Sequence, residues 1–356
     1  MTLLLSEADV ERALDMRETI DALDQSFQAL AAGQAVNRPR SHSYNALDGD
    51  RHHLFKTMDG GVLPLGVHAL RMSSDIVGEE RSAAGVKRVK IPAAPGGRYV
   101  GLVVLFDIHR LVPTAIMPDG YLQRMRVGAT SALAARHLAR SNSTTVGLVG
   151  AGWQAGAQLL ALAADRDLDE IKVYGPTADR VDGLIDRLTE RIDARMSAVA
   201  SAREAIDGVD IVALATNSMV PVIDGSWLAP GQHVGSVQGY ELDDATFDRA
   251  HVIGVRSLEP STYHYAPGKA PLEAKSEPEV DERIRAKMVE LGSIVSGARG
   301  RVDDAQITLF TGSHSGASSG LGIQFAAVGH VVATRARRLG LGQELPTDWL
   351  TQSGKP

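Results

Sequence analysis

The stretch that most constrains this chain is 146–155, VGLVGAGWQA. Val146 to Val149 are apolar or glycine and read as a short buried strand, and Gly150, Gly152 and Ala155 then follow with the spacing of a dinucleotide-binding turn. In such a turn Gly150 lets the chain leave the strand sharply, Gly152 leaves room for a pyrophosphate against the backbone, and Ala155 keeps the next helix close to the sheet. Trp153 and Gln154 open that helix, whose free N–H groups and positive end favour negative charge, and both join the expected cofactor-binding set. A small-residue turn after any buried strand has the same letters, so the flanking pattern must decide.

That pattern is regular. Residues 153–164 read as a helix and 171–174, IKVY, as a second strand; Val181, Leu184, Ile185, Leu188 and Ile192 then recur at helical spacing over 177–193. Further strands are expected at 209–215, 233–237 and 251–256. Helix and strand thus alternate from 146 to 256, which predicts a Rossmann-type, doubly wound parallel sheet with a cofactor across its C-terminal strand ends. Thr216, Asn217 and Val237 lie at those ends and are expected to meet it.

The second strand ends in VYGPTADR, with Gly175 where an acidic residue would accept hydrogen bonds from the adenosine ribose. Thr177 and Arg180 just beyond fit a 2'-phosphate, or equally a helix cap and a solvent-facing cation. NAD or NADP is expected, with a modest preference for NADP.

A chain of 356 residues has the length for two domains with separate cores. Its formal charge of -6 forces no basic face, so nucleic acid is not an expected partner. With no cysteine, disulfide and thiolate chemistry are excluded. No metal site is expected. The opening MTLLLSEADVERAL turns acidic too early for a secretory signal, and other apolar runs are too short or interrupted to span a bilayer. A cytoplasmic protein without membrane contact is expected.

Before the glycine turn, Ser6 and Asp9 suggest a capping box, and Met16, Ile20, Leu23, Phe27 and Leu30 mark a helix over about 16–32. Residues 37–45 read as a polar loop, 52–58 and 65–72 as strands, and 73–98, rich in charge, glycine and proline, as an excursion or loop. Strands at 99–106 and 111–117 form an expected hairpin whose apolarity requires cover from helices or another subunit. A small-residue helix at 124–139 begins with two arginines, an arrangement that favours a bound anion or else places the cations in solvent or a salt bridge. After 256 the pattern weakens over 257–277. It recovers as a helix over 278–291, a strand at 307–310 and a helix over 321–339 that could return to the first domain.

The segments GRYVGLVVLFD at 97–107, RMRVGATSALAARHLA at 124–139, VGLVGAGWQA at 146–155, ALATNSMVPVIDGSWLAPGQHV at 213–234 and ITLF at 307–310 make the chain resemble the ornithine cyclodeaminase and mu-crystallin family over nearly its full length. The resemblance implies a second, α+β substrate and dimerisation domain, from 1–125 plus about 320–356, beside a Rossmann domain at 126–319. It also implies a homodimer. Members include cyclodeaminases, amino-acid or opine-type dehydrogenases, imine reductases and nonenzymatic binders. The expected function is an NAD(P)-dependent oxidoreductase acting on an amino acid or cyclic imine, with a small amino acid, imine or oxo acid as the expected partner; ornithine cyclodeamination and NADP-dependent small-ligand binding are the alternatives.

By position, Arg126 and Arg40 match the family arginines that hold the substrate carboxylate. Bidentate guanidinium contacts would fix the α-carbon beside the nicotinamide. The family's active-site lysine has no clear counterpart, since His68 stands at the nearest gapless position and Arg71 is the next basic residue. Its Asp-containing loop is likewise absent from SVQGYELDD. Arginine is a poor general base, so His68 is the expected proton-transfer group, with Lys56, Glu241 or water as replacements.

Overall fold

The computed structural model describes residues 1–82, 85–258, 262–268, 272–273, 281–311 and 320–354. The first part of the chain forms β1 (Thr2–Leu4), helices α1 (Glu7–Ala13) and α2 (Met16–Ala31), then β2 (Ala35–Asn37), β3 (Arg40–Ala46), β4 (His52–Val62), β5 (Val67–Ser82), β6 (Gly85–Ile91), β7 (Val100–Asp107), β8 (Pro113–Pro118) and α3 (Gly120–Leu138). The middle alternates β9 (Thr145–Val149), α4 (Trp153–Asp165), β10 (Glu170–Tyr174), α5 (Ala178–Thr189), β11 (Arg195–Ala198), α6 (Ala202–Ile206), β12 (Ile211–Leu214), β13 (His233–Ser236), α7 (Asp244–Arg249) and β14 (Val252–Val255). The last part adds β15 (Thr262–Tyr265), β16 (Leu272–Glu273), α8 (Glu282–Arg285), β17 (Met288–Glu290), α9 (Leu291–Val295), β18 (Thr308–Thr311), α10 (Gly322–Arg338) and β19 (Gln343–Leu345).

Two sheets organise these elements. In the second, the order is β11-β10-β9-β12-β13-β18-β14-β17 with every pair parallel. Strand β9 lies between β10 and β12, so the chain winds first to one side and then to the other, and a crevice opens at the C-terminal strand ends where the winding reverses. This is the expected doubly wound sheet. The first sheet is mixed, running β16-β15-β3-β4-β5-β7-β8-β1-β19 with β2 and β6 paired to β4 and β5.

Several local expectations are corrected. Residues 37–45 are mostly strand β3, whose polar residues are held by antiparallel pairing with β4 and parallel pairing with β15. The segment 73–98 is not an excursion: β5 continues to Ser82 and pairs with β6. Ladder hydrogen bonds outweigh the weak strand propensity of its charged residues. The expected helix at 278–291 is instead α8, β17 and the start of α9, with 278–280 outside the described residues. Strands β15 and β16 lie in the segment read as irregular and join the first sheet, interrupting the continuous Rossmann span expected for 126–319. Helix α3 starts at Gly120, four residues before Arg124, so its arginines stand beyond the first-turn N–H groups.

Alternation across the first sheet sets what faces inward. Lys56 pairs with Ser73, Met58 with Arg71 and Leu54 with Asp75, so these six share one face; His42 opposite Lys56 brings β3, and with it Arg40, to the same side. Helix α10 covers that face, burying Phe325, Ile323 and Val328 against Met58, Ala69, Val103 and Leu105. Its approach is close: a Cβ on Gly322 would come within 2.0 Å of the Asp59 backbone, and one on Gly60 within 2.4 Å of Ile323 N. The opposite face carries half-buried Leu70, Met72, Leu102, Val104 and Ile116 and exposed Phe106. Among the described residues, no helix is long and apolar enough to cross a membrane, and no acidic, histidine or cysteine cluster could hold a metal.

Candidate active site

The glycine turn has the geometry its letters suggest. Gly150 has φ +120°, and a Cβ there would lie 2.3 Å from the Ala215 carbonyl oxygen, so the turn passes directly over the end of the neighbouring strand. A Cβ on Gly152 would meet nothing within 4 Å, which leaves open space beside the first turn of α4. Gly152 is the N-cap of α4, no side chain caps the helix, and its first turn holds no acid. Its N–H groups and positive end are therefore uncompensated, as a pyrophosphate requires. Gln154 Oε1 is buried without a partner among the described residues, Ala155 is fully buried, and Trp153 is exposed beneath the Arg124 guanidinium, 4.3 Å from its ring. These residues fit a dinucleotide.

The remaining cofactor candidates border the same strand ends. A Cβ on Gly175 would lie 3.4 Å from Ala151 Cβ and 3.1 Å from Val181, so the second strand closes tightly on the turn. Thr177 is the N-cap of α5 but its hydroxyl makes no capping bond, Arg180 is exposed, and Asp179 occupies the first turn between them. Thr216 and exposed Asn217 follow β12, and Val237 follows β13. Glu241 ties these two loops together. Its buried carboxylate accepts from Thr216 N at 2.5 Å, Thr216 Oγ1 at 2.8 Å, Ser236 Oγ at 2.8 Å and Gln238 N at 3.1 Å. Burial raises its pKa, but with four donors spent on loop geometry it serves as a clamp.

On the inward face of the first sheet, Arg40, Arg71 and Lys56 come together with Arg126 of α3. Arg126 is buried: Nη1 donates to Gln324 Oε1 at 3.1 Å, the guanidinium lies 5.1 Å over the Phe325 ring, and a Cβ on Gly320 would strike it. Gln324 in turn donates to Thr130 Oγ1, fixing α10 to α3. Arg126 Nε has no partner among the described residues. Burial, then the charges of Arg256, Arg40 and Arg71, push its pKa well below the ordinary value. Helix α3 also packs backbone to backbone on α4, since a Cβ on Gly128 would lie 2.2 Å from the Ala157 carbonyl oxygen.

Arg71 is held by Asp119: Nε donates to Oδ2 at 2.7 Å, and a Cβ on Gly101 would collide with that carboxylate. Lys56 donates to Asp75 at 2.9 Å, and Lys90 to the other oxygen at 3.1 Å. Burial and the Lys90 charge lower the Lys56 ammonium to about 8 against the pull of Asp75. Burial and Arg71 lower Arg40 to about 10, and its Nε also lacks a partner among the described residues.

His68 is misplaced by the linear reading. It pairs with Gly61 and Phe106, one strand position out of phase with Ala69 and three from Arg71, so its ring emerges on the opposite face and meets Asp59 at 3.4 Å. A one-residue offset in a strand reverses the side, which position in the sequence alone does not reveal.

The residues not foreseen are Asp119, Asp75, Gln324 and Arg256. Arg256 closes the apolar strand read at 251–256, and a cation ending a buried parallel strand was its available signal. It is 2% exposed, and Nε, Nη1 and Nη2 all lack hydrogen-bond partners among the described residues. Its guanidinium lies 5.5 Å from the Phe310 ring. Such a contact contributes about 2 kcal/mol at best, whereas an unpaired buried charge costs several.

Residues 1–339 match the ornithine cyclodeaminase/mu-crystallin family. The chain is 26% identical to the alanine dehydrogenase of Archaeoglobus fulgidus over 363 aligned residues, covering 97% of this chain and 98% of that one. It is 30% identical to a Delta(1)-pyrroline-2-carboxylate reductase of Bacillus cereus over 281 residues, covering 76% and 82%. The structure of the Thermococcus litoralis Delta(1)-pyrroline-2-carboxylate reductase in complex with NADH and L-proline superposes with a TM-score of 0.76 at 25% identity, covering 97% of this chain and all of that one. With its glycine turn, doubly wound sheet and arginine-lined inner face, the chain belongs to the ornithine cyclodeaminase/mu-crystallin family.

Proposed function

We propose that the protein is a nicotinamide-dependent oxidoreductase that interconverts an amino acid and its imine. The observation that carries this reading is Arg126, a buried guanidinium whose Nε has no partner among the described residues, on the helix that packs directly against the proposed cofactor helix. The nicotinamide, when bound, would exchange a hydride with the α-carbon. Arg126 and Arg40 would grip the α-carboxylate by charge-assisted bonds and orient that carbon. Lys56 would carry the proton to or from nitrogen, because it shares their face of the sheet and its lowered pKa brings it near the working pH. Arg71, bound to Asp119, would shape the charge of the pocket. The test is turnover of NADH and NADPH with cyclic imines and with 2-oxo acids plus ammonia. Rate should fall above about pH 8 as Lys56 loses its proton, and Lys56→Met should remove that limb. Cofactor binding without turnover of any substrate would favour the ligand-binding alternative.

Three finer readings accompany it. The domain division is at 1–125 with about 320–356 against the remainder, β15 and β16 excepted. The cofactor preference leans to NADP, supported by Gly175, the uncapped Thr177 hydroxyl and Arg180, and opposed by Asp179; titration of both cofactors with Arg180→Ala measures the balance. A second copy covers the outer sheet face around Leu70, Val104 and Phe106, giving a homodimer with one self-complementary contact. Light scattering should report twice the chain mass, and Phe106→Asp should reduce it.

A further inference from the structure

Arg256 has no task in the reading above, yet it sits at the C-terminal end of β14, against Phe310 of the neighbouring strand, and its charge bears directly on both Arg126 and Arg40. Lys56 can shed its proton when buried. A guanidinium cannot, so burial of Arg256 without a partner among the described residues leaves a permanent cation awaiting an anion. Asp119 is the one carboxylate paired with any of the four arginines among the described residues, and it is committed to Arg71. One α-carboxylate shared by Arg126 and Arg40 would leave Arg256 unmatched.

We propose that the substrate is a dicarboxylic amino acid or its imine, with Arg126 and Arg40 on the α-carboxylate and Arg256 on the side-chain carboxylate. This rests on the oxidoreductase reading and narrows its substrate. A planar, buried fork suits a second carboxylate through two parallel N–H bonds. It excludes a side chain ending in an ammonium, as in ornithine, which would meet like charge in a dry site. Selection here arises from repulsion as well as attraction.

The experiment compares oxaloacetate and 2-oxoglutarate with 2-oxobutyrate, each with ammonia and reduced cofactor, in wild type, R256Q and R256K. Wild type should prefer the dicarboxylates at least tenfold in kcat/KM. R256Q should lower their kcat/KM by about 10 to 150-fold more than that of 2-oxobutyrate, the range for one charge-assisted contact, with R256K between. Preference of the wild type for 2-oxobutyrate overturns the proposal while leaving the oxidoreductase reading intact, and an equal loss on all substrates, or an equal loss of cofactor affinity, overturns it too. If no oxo acid is turned over, the reading itself fails on these substrates. Calorimetric binding of succinate against butyrate to wild type then decides the site: tighter succinate supports a dianion site, and equal binding rejects it.

Discussion

The crevice and the inner sheet face both prepare for negative charge, by opposite means. At the start of α4 the attraction comes from backbone N–H groups, and the glycines supply only room and an unusual φ. On the sheet face it comes from four guanidinium groups drawn from β3, β5, α3 and the end of β14. The first device occupies ten consecutive residues and costs little when vacant, because water can satisfy exposed N–H groups. The second spans more than half the chain and holds charge that is buried at Arg126 and Arg256 and half-buried at Arg40 and Arg71. The difference teaches that anion sites of equal purpose can differ in how much of the fold they tax.

The contrast can be broken at its cheaper end first. Gly150→Val should raise the cofactor Kd more than about 100-fold, since a side chain there meets both a left-handed φ and the Ala215 carbonyl, each worth a few kcal/mol of strain; calorimetry with NADH checks this, and affinity within tenfold of wild type would show that the turn does not seat the pyrophosphate. Arg126→Lys keeps one charge but loses the fork, and should cost about 10 to 150-fold in kcat/KM, or about 1.5 to 3 kcal/mol, with cofactor affinity unchanged. Unaltered substrate kinetics would remove the carboxylate anchor.

A buried histidine sharpens the comparison. His233 bonds Thr308 Oγ1 at 3.0 Å inside the parallel sheet, and burial lowers its pKa to about 3. Unlike the arginines, it escapes the cost of burial by giving up its proton. Its folded pKa lies below the unfolded value of about 6.5, so the unfolded state binds the proton first; the associated stability is complete above pH 6.5 and declines as pH falls toward 3. Between pH 7 and 5 this group should remove about 2 kcal/mol of unfolding free energy, and urea titrations of wild type and His233→Asn should differ in that slope. The smallest expected effect is at His68, on the far face beside Asp59: His68→Asn should alter kcat/KM by less than about twofold and stability by about 0.5 kcal/mol or less. A larger kinetic loss with the pH profile displaced would return the proton role to His68.

How much was legible follows from how local each signal is. The strand, turn and helix around 146–165 could be read because periodicity and backbone requirement coincide within a few residues. The family pattern added Arg40 and Arg126, whose charges the fold brings to bear on each other from β3 and α3. Arg71 and His68 show the limit: three residues apart, they face opposite sides, and only the register against β4 decides which looks inward. Strand β6 escaped notice because charged residues obscured an edge pairing, and Asp119 because its partner lies 48 positions away. Arg256 looked like the end of a strand until its neighbours were known.

The pairing of β1 with β19 places Thr2 opposite Leu345, and the Arg126–Gln324 bond joins residues 198 apart. Contacts of such separation close slowly, because the loop entropy must be met before they reward the chain. During synthesis the parallel strands β9 to β13 can collapse before α10, which emerges after them and brings Gln324 and Phe325 to Arg126. The chain would therefore pass through a stage in which the doubly wound sheet has formed while the inner face of the first sheet stands bare, in need of protection until α10 arrives.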